Sequence, residues 1–264
     1  IREYTGKAGT SMATPYTTGV SGLVAQAMEE DAPASISLRA PGNATIEDVY
    51  LLKQVMLATA SETVFTAAPY HRVKAPTYDF GGRDPFEGFG RVNPSAAVDA
   101  VTRELSGTTS ETVGLNVPED DRAVAGYVRA GPGTVTADVS FDHYSGGEKG
   151  RAAANPHIDL FVYDAETPAQ FGEPNVVGRA QGLDGNASVQ VSLGRDSPTR
   201  TLYVVAKLVD VPGAVNGDDV RAHFDLSVST EDGFFVDGTR TDDGSVFTGG
   251  QTDQMDLTVN PSSK

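Results

Sequence analysis

The sequence predicts a helical leading part followed by an all-β antiparallel sandwich or jelly roll. Three observations predict it. Apolar residues recur at helical spacing in three stretches before residue 105. After residue 110 the apolar period drops to two. Gly-rich turns separate the alternating runs. With 264 residues, 39% of them hydrophobic, the chain is long enough for one or two domains with a sizeable core.

The first helix is expected over 11–29, where Met12, Tyr16, Gly19, Val20, Leu23, Val24, Ala27 and Met28 form an apolar stripe. Pro15 lies in its first turn, where a missing N–H costs little. The second helix is expected over 46–60. Thr45 caps it, Asp48 completes a capping box, and Ile46, Val49, Leu52, Val55 and Met56 form its inward face. Residues 61–92 read as irregular. The third helix opens at Asn93-Pro94, a cap followed by proline, with Ala97, Val98, Val101 and Leu105 as its stripe.

Residues 105–110 read as a linker, since they are Ser-, Thr- and Gly-rich. Strands are then expected over 134–141, 157–163, 188–193, 200–209 and 220–228, where apolar and polar residues alternate. Residues 231–250 read as turns, and Met255, Leu257 and Val259 as a last strand.

Charge narrows the function classes. The 36 acidic and 20 basic residues give a net charge of −16, which repels a phosphate backbone and argues against nucleic acid as a partner. The basic residues are 14 Arg and 6 Lys; such an acidic, Lys-poor composition suits a salt-rich habitat or an extracellular protein kept soluble by charge. Cysteine is absent, so disulfides and thiol chemistry are excluded. No window approaches the ~20 apolar residues of a spanning helix.

The string Gly9-Thr10-Ser11-Met12-Ala13-Thr14-Pro15 carries the chemistry. It places a hydroxyl where a loop meets a helix N-terminus, beside unpaired N–H groups and the positive end of the helix dipole. An oxyanion forming there is stabilised. A serine at a helix start can equally be a simple cap.

The string resembles, without a gap, the nucleophile motif of subtilases, the subtilisin-like serine proteases. Gly19-Val20-Ser21-Gly22-Leu23-Val24 is similar to the family's small-residue helix behind the nucleophile. Phe89-Gly90-Arg91-Val92-Asn93, followed by Ala96-Ala97-Val98, is similar to the segment opening the family's last catalytic-domain helix. The resemblance implies that residues 1–105 are the C-terminal portion of an α/β catalytic domain. It implies that Ser11 is the acyl-forming nucleophile, that its own N–H is an oxyanion donor, and that Thr10 supports that hole.

Tyr16 stands where the family often has His, a change expected to affect packing only. The family's order is Asp, His, Ser, with the oxyanion Asn also before Ser. Neither Asp nor His occurs in the ten residues before Ser11. The resemblance therefore places the base, its carboxylate and most of the cleft in a missing N-terminal part, and the chain alone is expected to be inactive. His71, His143, His157 and His223 read as surface histidines and are assigned to no triad.

The alternating region resembles the pre-peptidase C-terminal domains that follow many secreted proteases. The likeness rests on His157-Ile158-Asp159-Leu160-Phe161-Val162-Tyr163-Asp164 and Thr201-Leu202-Tyr203-Val204-Val205. The organisation implied is thus residues 1–105 as the subtilase portion and 111–264 as a β-sandwich accessory domain, in a secreted, extracellular endopeptidase acting on polypeptide substrates. A non-catalytic binding or structural module that keeps a relic of the protease motif is the alternative. No cofactor is identifiable, although calcium accompanies the family; the acidic turn from Asp237 to Gly244 lacks EF-hand spacing, so no metal ligand is assigned. Asn43-Ala44-Thr45 and Asn186-Ala187-Ser188 fit the glycosylation pattern.

Overall fold

In the computed structural model, the described residues are 9–39, 42–62, 83, 88–115, 122–141, 145–146, 156–211 and 220–232. Among them, the elements before Gly107 are three helices, with isolated bridges at Ser61–Arg91 and Glu104–Tyr127. The helices are α1 (Thr10–Glu30), α2 (Ile46–Ala58) and α3 (Pro94–Thr102). Thr45 caps α2 through the expected capping box, and the Asn93 side chain accepts from the Ala96 N–H at the start of α3. Ser61 and Arg91 exchange two backbone hydrogen bonds of 2.8 Å, which ties the end of α2 to the start of α3. Gly90 makes that approach possible: its φ is +102°, and a Cβ there would lie 2.2 Å from the Ser61 carbonyl oxygen.

Nine strands follow: β1 (Gly107–Leu115), β2 (Ala123–Ala130), β3 (Gly133–Phe141), β4 (Ser145–Gly146), β5 (His157–Asp164), β6 (Val176–Ala180), β7 (Asn186–Leu193), β8 (Arg200–Asp210) and β9 (Val220–Asp232). They form two antiparallel sheets. Sheet I has the order β1-β9-β3-β7, with β4 also on β9; sheet II has the order β2-β8-β5-β6. The alternating residues Val135, Val139, Phe141, Ile158, Leu160, Val162, Leu202, Val204, Phe224 and Leu226 meet between the sheets as one core. The described residues after 106 are therefore a β-sandwich, as the period of two predicts.

A second core lies on the far side of sheet II. Val20, Val24 and Met28 of α1, Val55 and Met56 of α2, and Ala97 and Val101 of α3 pack with Phe161, Tyr163, Tyr203 and Val205. The helices thus form a third layer on the outer face of that sheet. Gln54 of α2, fully buried, donates to the Ala165 carbonyl at 3.1 Å and accepts from the Asn175 N–H at 3.2 Å.

Three expectations need correction. The stretch 105–110 is not a free linker: the Leu105 N–H donates to the Tyr127 carbonyl at 2.7 Å, the Tyr127 N–H donates to the Arg103 carbonyl at 2.8 Å, and β1 begins at Gly107. Its Ser and Thr side chains suit a sheet edge with one solvated face. Ile46 and Val49 face outward on α2, at 55% and 52% exposure, because Gln54, Val55 and Met56 set the packed face. Met12, Tyr16 and Leu23 of the α1 stripe are also exposed, because α1 packs on α2 and α3 through Val20, Val24, Ala27 and Met28 instead. The turns expected from 233 onward and the strand expected at Met255, Leu257 and Val259 lie outside the described residues.

Candidate active site

Ser11 is the second residue of α1. The helix cap is Gly9, at φ +149°, and it makes no side-chain cap hydrogen bond. Ser11 therefore does not fill the capping role that a serine at a helix start often takes. Its side chain is exposed, and among the described residues its hydroxyl has no hydrogen-bond partner. The Met12 and Ala13 N–H groups both donate to the Gly9 carbonyl, at 2.9 and 3.1 Å. That leaves the Thr10 and Ser11 N–H groups without a backbone partner among the described residues. Among the described residues, the Ser11 hydroxyl and the Thr10 and Ser11 N–H groups thus have no partner at the positive end of a 21-residue helix.

Thr10 is exposed on the same turn, and its carbonyl accepts from the Thr14 hydroxyl at 2.9 Å. Met12 and Tyr16, 47% and 54% exposed, leave apolar surface on the first turns of α1. Leu23, Ile46 and Val49 are further exposed apolar residues of the helical layer. At the other end of the resemblance, Asn93 caps α3 and also donates to the Ser61 hydroxyl at 2.9 Å.

No described histidine or carboxylate is hydrogen-bonded to Ser11. His157 Nδ1 lies 3.5 Å from the Asp210 carboxylate, and His223 Nδ1 lies 2.8 Å from the Thr112 hydroxyl on the outer face of sheet I. His71 and His143 lie outside the described residues, as does the turn from Asp237 to Gly244. Among the described residues no group of three or more His, Asp or Glu could hold a metal, and no helix is long and apolar enough to cross a membrane. Asn43 and Asn186 are both exposed.

Sequence reasoning missed a second collection of reactive groups. Glu62, Asp159 and Lys207 are 0%, 1% and 0% exposed, beneath the helical layer on the outer face of sheet II. Burial pushes the Asp159 carboxyl up to about 7. The Gly182 N–H, 3.4 Å away, pulls it down; neighbouring Glu62 pushes it further up and Lys207 pulls it down. Burial also raises the Tyr163 and Tyr203 phenols. The signal was available: Phe161, Tyr163, Tyr203 and Val205 share the parity of Asp159 and Lys207, so that face was apolar and due to be covered.

No family model matches the chain, and no curated protein matches it. Among solved structures, the pre-peptidase C-terminal domain of the collagenase from Bacillus anthracis is similar over 48% of this chain and 92% of that one, at 12% identity and a TM-score of 0.29. A protein of Sulfurospirillum deleyianum is similar over 44% of this chain and 96% of its own, at 6% identity and a TM-score of 0.21. Likenesses this low carry no argument, and the sandwich rests on its own strand register.

Proposed function

We propose that Ser11 is the nucleophile of a secreted subtilisin-like serine endopeptidase. In this reading Ser11 forms the acyl-enzyme on a polypeptide substrate, its own N–H donates to the oxyanion, and Thr10 supports that hole. The reading rests on the uninterrupted motif from Gly9 to Pro15. The observation that carries it is that the Ser11 hydroxyl is exposed and bonded to no described residue, at a helix mouth where glycine does the capping.

A serine hydroxyl is a weak nucleophile at neutral pH until a base takes its proton. The base, its orienting carboxylate and the oxyanion Asn belong, in this reading, to the part of the catalytic domain preceding Ile1. That part would also cover the apolar surface of Met12, Tyr16, Leu23, Ile46 and Val49, which otherwise faces water. The sandwich then acts as an accessory domain packed on the catalytic helices, in keeping with the buried contact of sheet II with α1, α2 and α3.

A fluorophosphonate probe tests this on the protein carrying its upstream residues. Labelling at Ser11 that Ser11→Ala abolishes is the expected result. Equal labelling of Ser11→Ala, or none of the parent, favours the non-catalytic module with a relic motif.

A further inference from the structure

Sheet II sets a lysine directly opposite an aspartate and seals both from water. Asp159 on β5 and Lys207 on β8 are Cα partners in the antiparallel register. Directly opposed residues hold their Cβ atoms about 4.5–5.5 Å apart, well within the span of a lysine stem. The Lys207 ammonium leans along β5: it lies 5.8 Å from the centre of the Phe161 ring, two residues from Asp159 on the same face.

A third ionisable group is brought in by the helical layer. The Ser61–Arg91 bridge fixes Glu62 over the sheet, and the Arg122 guanidinium donates to the Glu62 carbonyl at 3.2 Å. Arg122 adjoins Ala123, the cross-strand partner of Lys207 on β2. Phe161, Tyr163 and Tyr203, each 0% exposed, wall the cluster. Phe161 and Tyr163 stack at 5.8 Å between ring centres.

An acid and an amine condense to an amide where water is excluded, the acid holds its proton and the amine has lost one. Burial disfavours the charged form of either group. The elevated Asp159 carboxyl keeps a substantial protonated fraction near neutral pH. The chain has no cysteine, so a cross-link between its central strands cannot be a disulfide.

We propose that Lys207 and Asp159 join through an intramolecular isopeptide bond, with Glu62 carrying the protons. Glu62 takes one proton from the ammonium. The neutral Nζ attacks Cγ of the protonated Asp159, and a C–N bond forms. The C–O bond to the hydroxyl breaks. The hydroxyl leaves as water, its second hydrogen coming from the attacking nitrogen by way of Glu62, and the nitrogen keeps one hydrogen. The product is a neutral amide beside a protonated Glu62, so no full charge remains on these three groups. One water leaves, and no oxidant, reductant or other reactant takes part. The inference is independent of the protease reading.

The test is the intact mass of the folded chain. It is expected to be lighter than the sequence mass by one water, with a branched peptide joining the segments around Asp159 and Lys207 after digestion. Lys207→Arg and Asp159→Ala are expected to restore the full mass. A succinimide at any Asp-Gly step, at Asp184, Asp232, Asp237 or Asp243, would also lose one water, but hydroxylamine opens it and leaves an amide intact. Glu62→Gln is expected to slow the linkage, leaving a full-mass fraction. Because the protonated acid is the form attacked, linkage during refolding is expected to slow as pH rises through about 7. Full sequence mass in the folded parent, with Asp159 and Lys207 recovered on separate peptides, would overturn the proposal. Linkage at the parental rate in Glu62→Gln would overturn the part given to Glu62.

Discussion

The two sheets of the sandwich are built alike and covered differently. Sheet I keeps one face for water: along β7, from Asn186 to Leu193, exposed and buried residues alternate without a break. The central strands of sheet II keep none. Every position from Ile158 to Asp164 on β5 and from Thr201 to Leu208 on β8 is buried. The inner faces are equivalent, so the difference arises outside, where α1, α2 and α3 cover sheet II. A charged residue on the outer face of sheet I meets solvent, whereas Asp159 and Lys207, on the central strands of sheet II, are buried beneath the helices. The reactive groups therefore divide in two: Ser11 is exposed on α1, while Asp159 and Lys207 are buried with Glu62.

The largest expected effect separates the two outer faces. Phe161→Ala removes a ring buried between sheet II and the helices and should cost about 3–5 kcal/mol in denaturant unfolding. Gln190→Ala, on the exposed face of β7, should change stability by less than about 0.5 kcal/mol. Similar small losses for both would mean that the helices do not cover sheet II. A middle-sized effect is expected at the edge of the helical layer. Thr45→Ala removes the capping box of α2 and should cost about 1 kcal/mol by the same measurement. No change would mean that α2 is held by its packed face alone. The smallest effect sharpens the comparison further. The Tyr203 hydroxyl is buried without a hydrogen-bond partner among the described residues, so Tyr203→Phe should be neutral or slightly stabilising. A clear loss would reveal a partner for that hydroxyl.

The strands of sheet I that face water were legible, because a solvated face writes period two into the sequence. The edge strand β1 was not: Gly107, Thr108, Thr109 and Ser110 have too little apolar side chain to show a pattern. Strand β2 went unread for the opposite reason. Ala123, Val124, Ala125 and Gly126 are all buried, and a strand covered on both faces loses its alternation. Strands β5 and β8 were found through Ile158, Leu160, Leu202 and Val204, but only half of their burial was read. Asp159 and Lys207 looked like the polar half of an alternation, and sealing them required the tertiary contact with the helices. The opening of α1 beside Ser11 was legible because its signal is local: a glycine, a hydroxyl and a proline. The outward turn of Met12 and Tyr16 was not, since periodicity shows that a stripe exists and not what lies against it.

Proteolysis by the protein carrying its upstream residues, compared with its Ser11→Ala variant, tests the central claim most directly. Loss of casein cleavage by several orders of magnitude, with an unchanged unfolding midpoint, is the predicted result. Undiminished cleavage by the alanine variant would contradict the assignment of Ser11 as the attacking group.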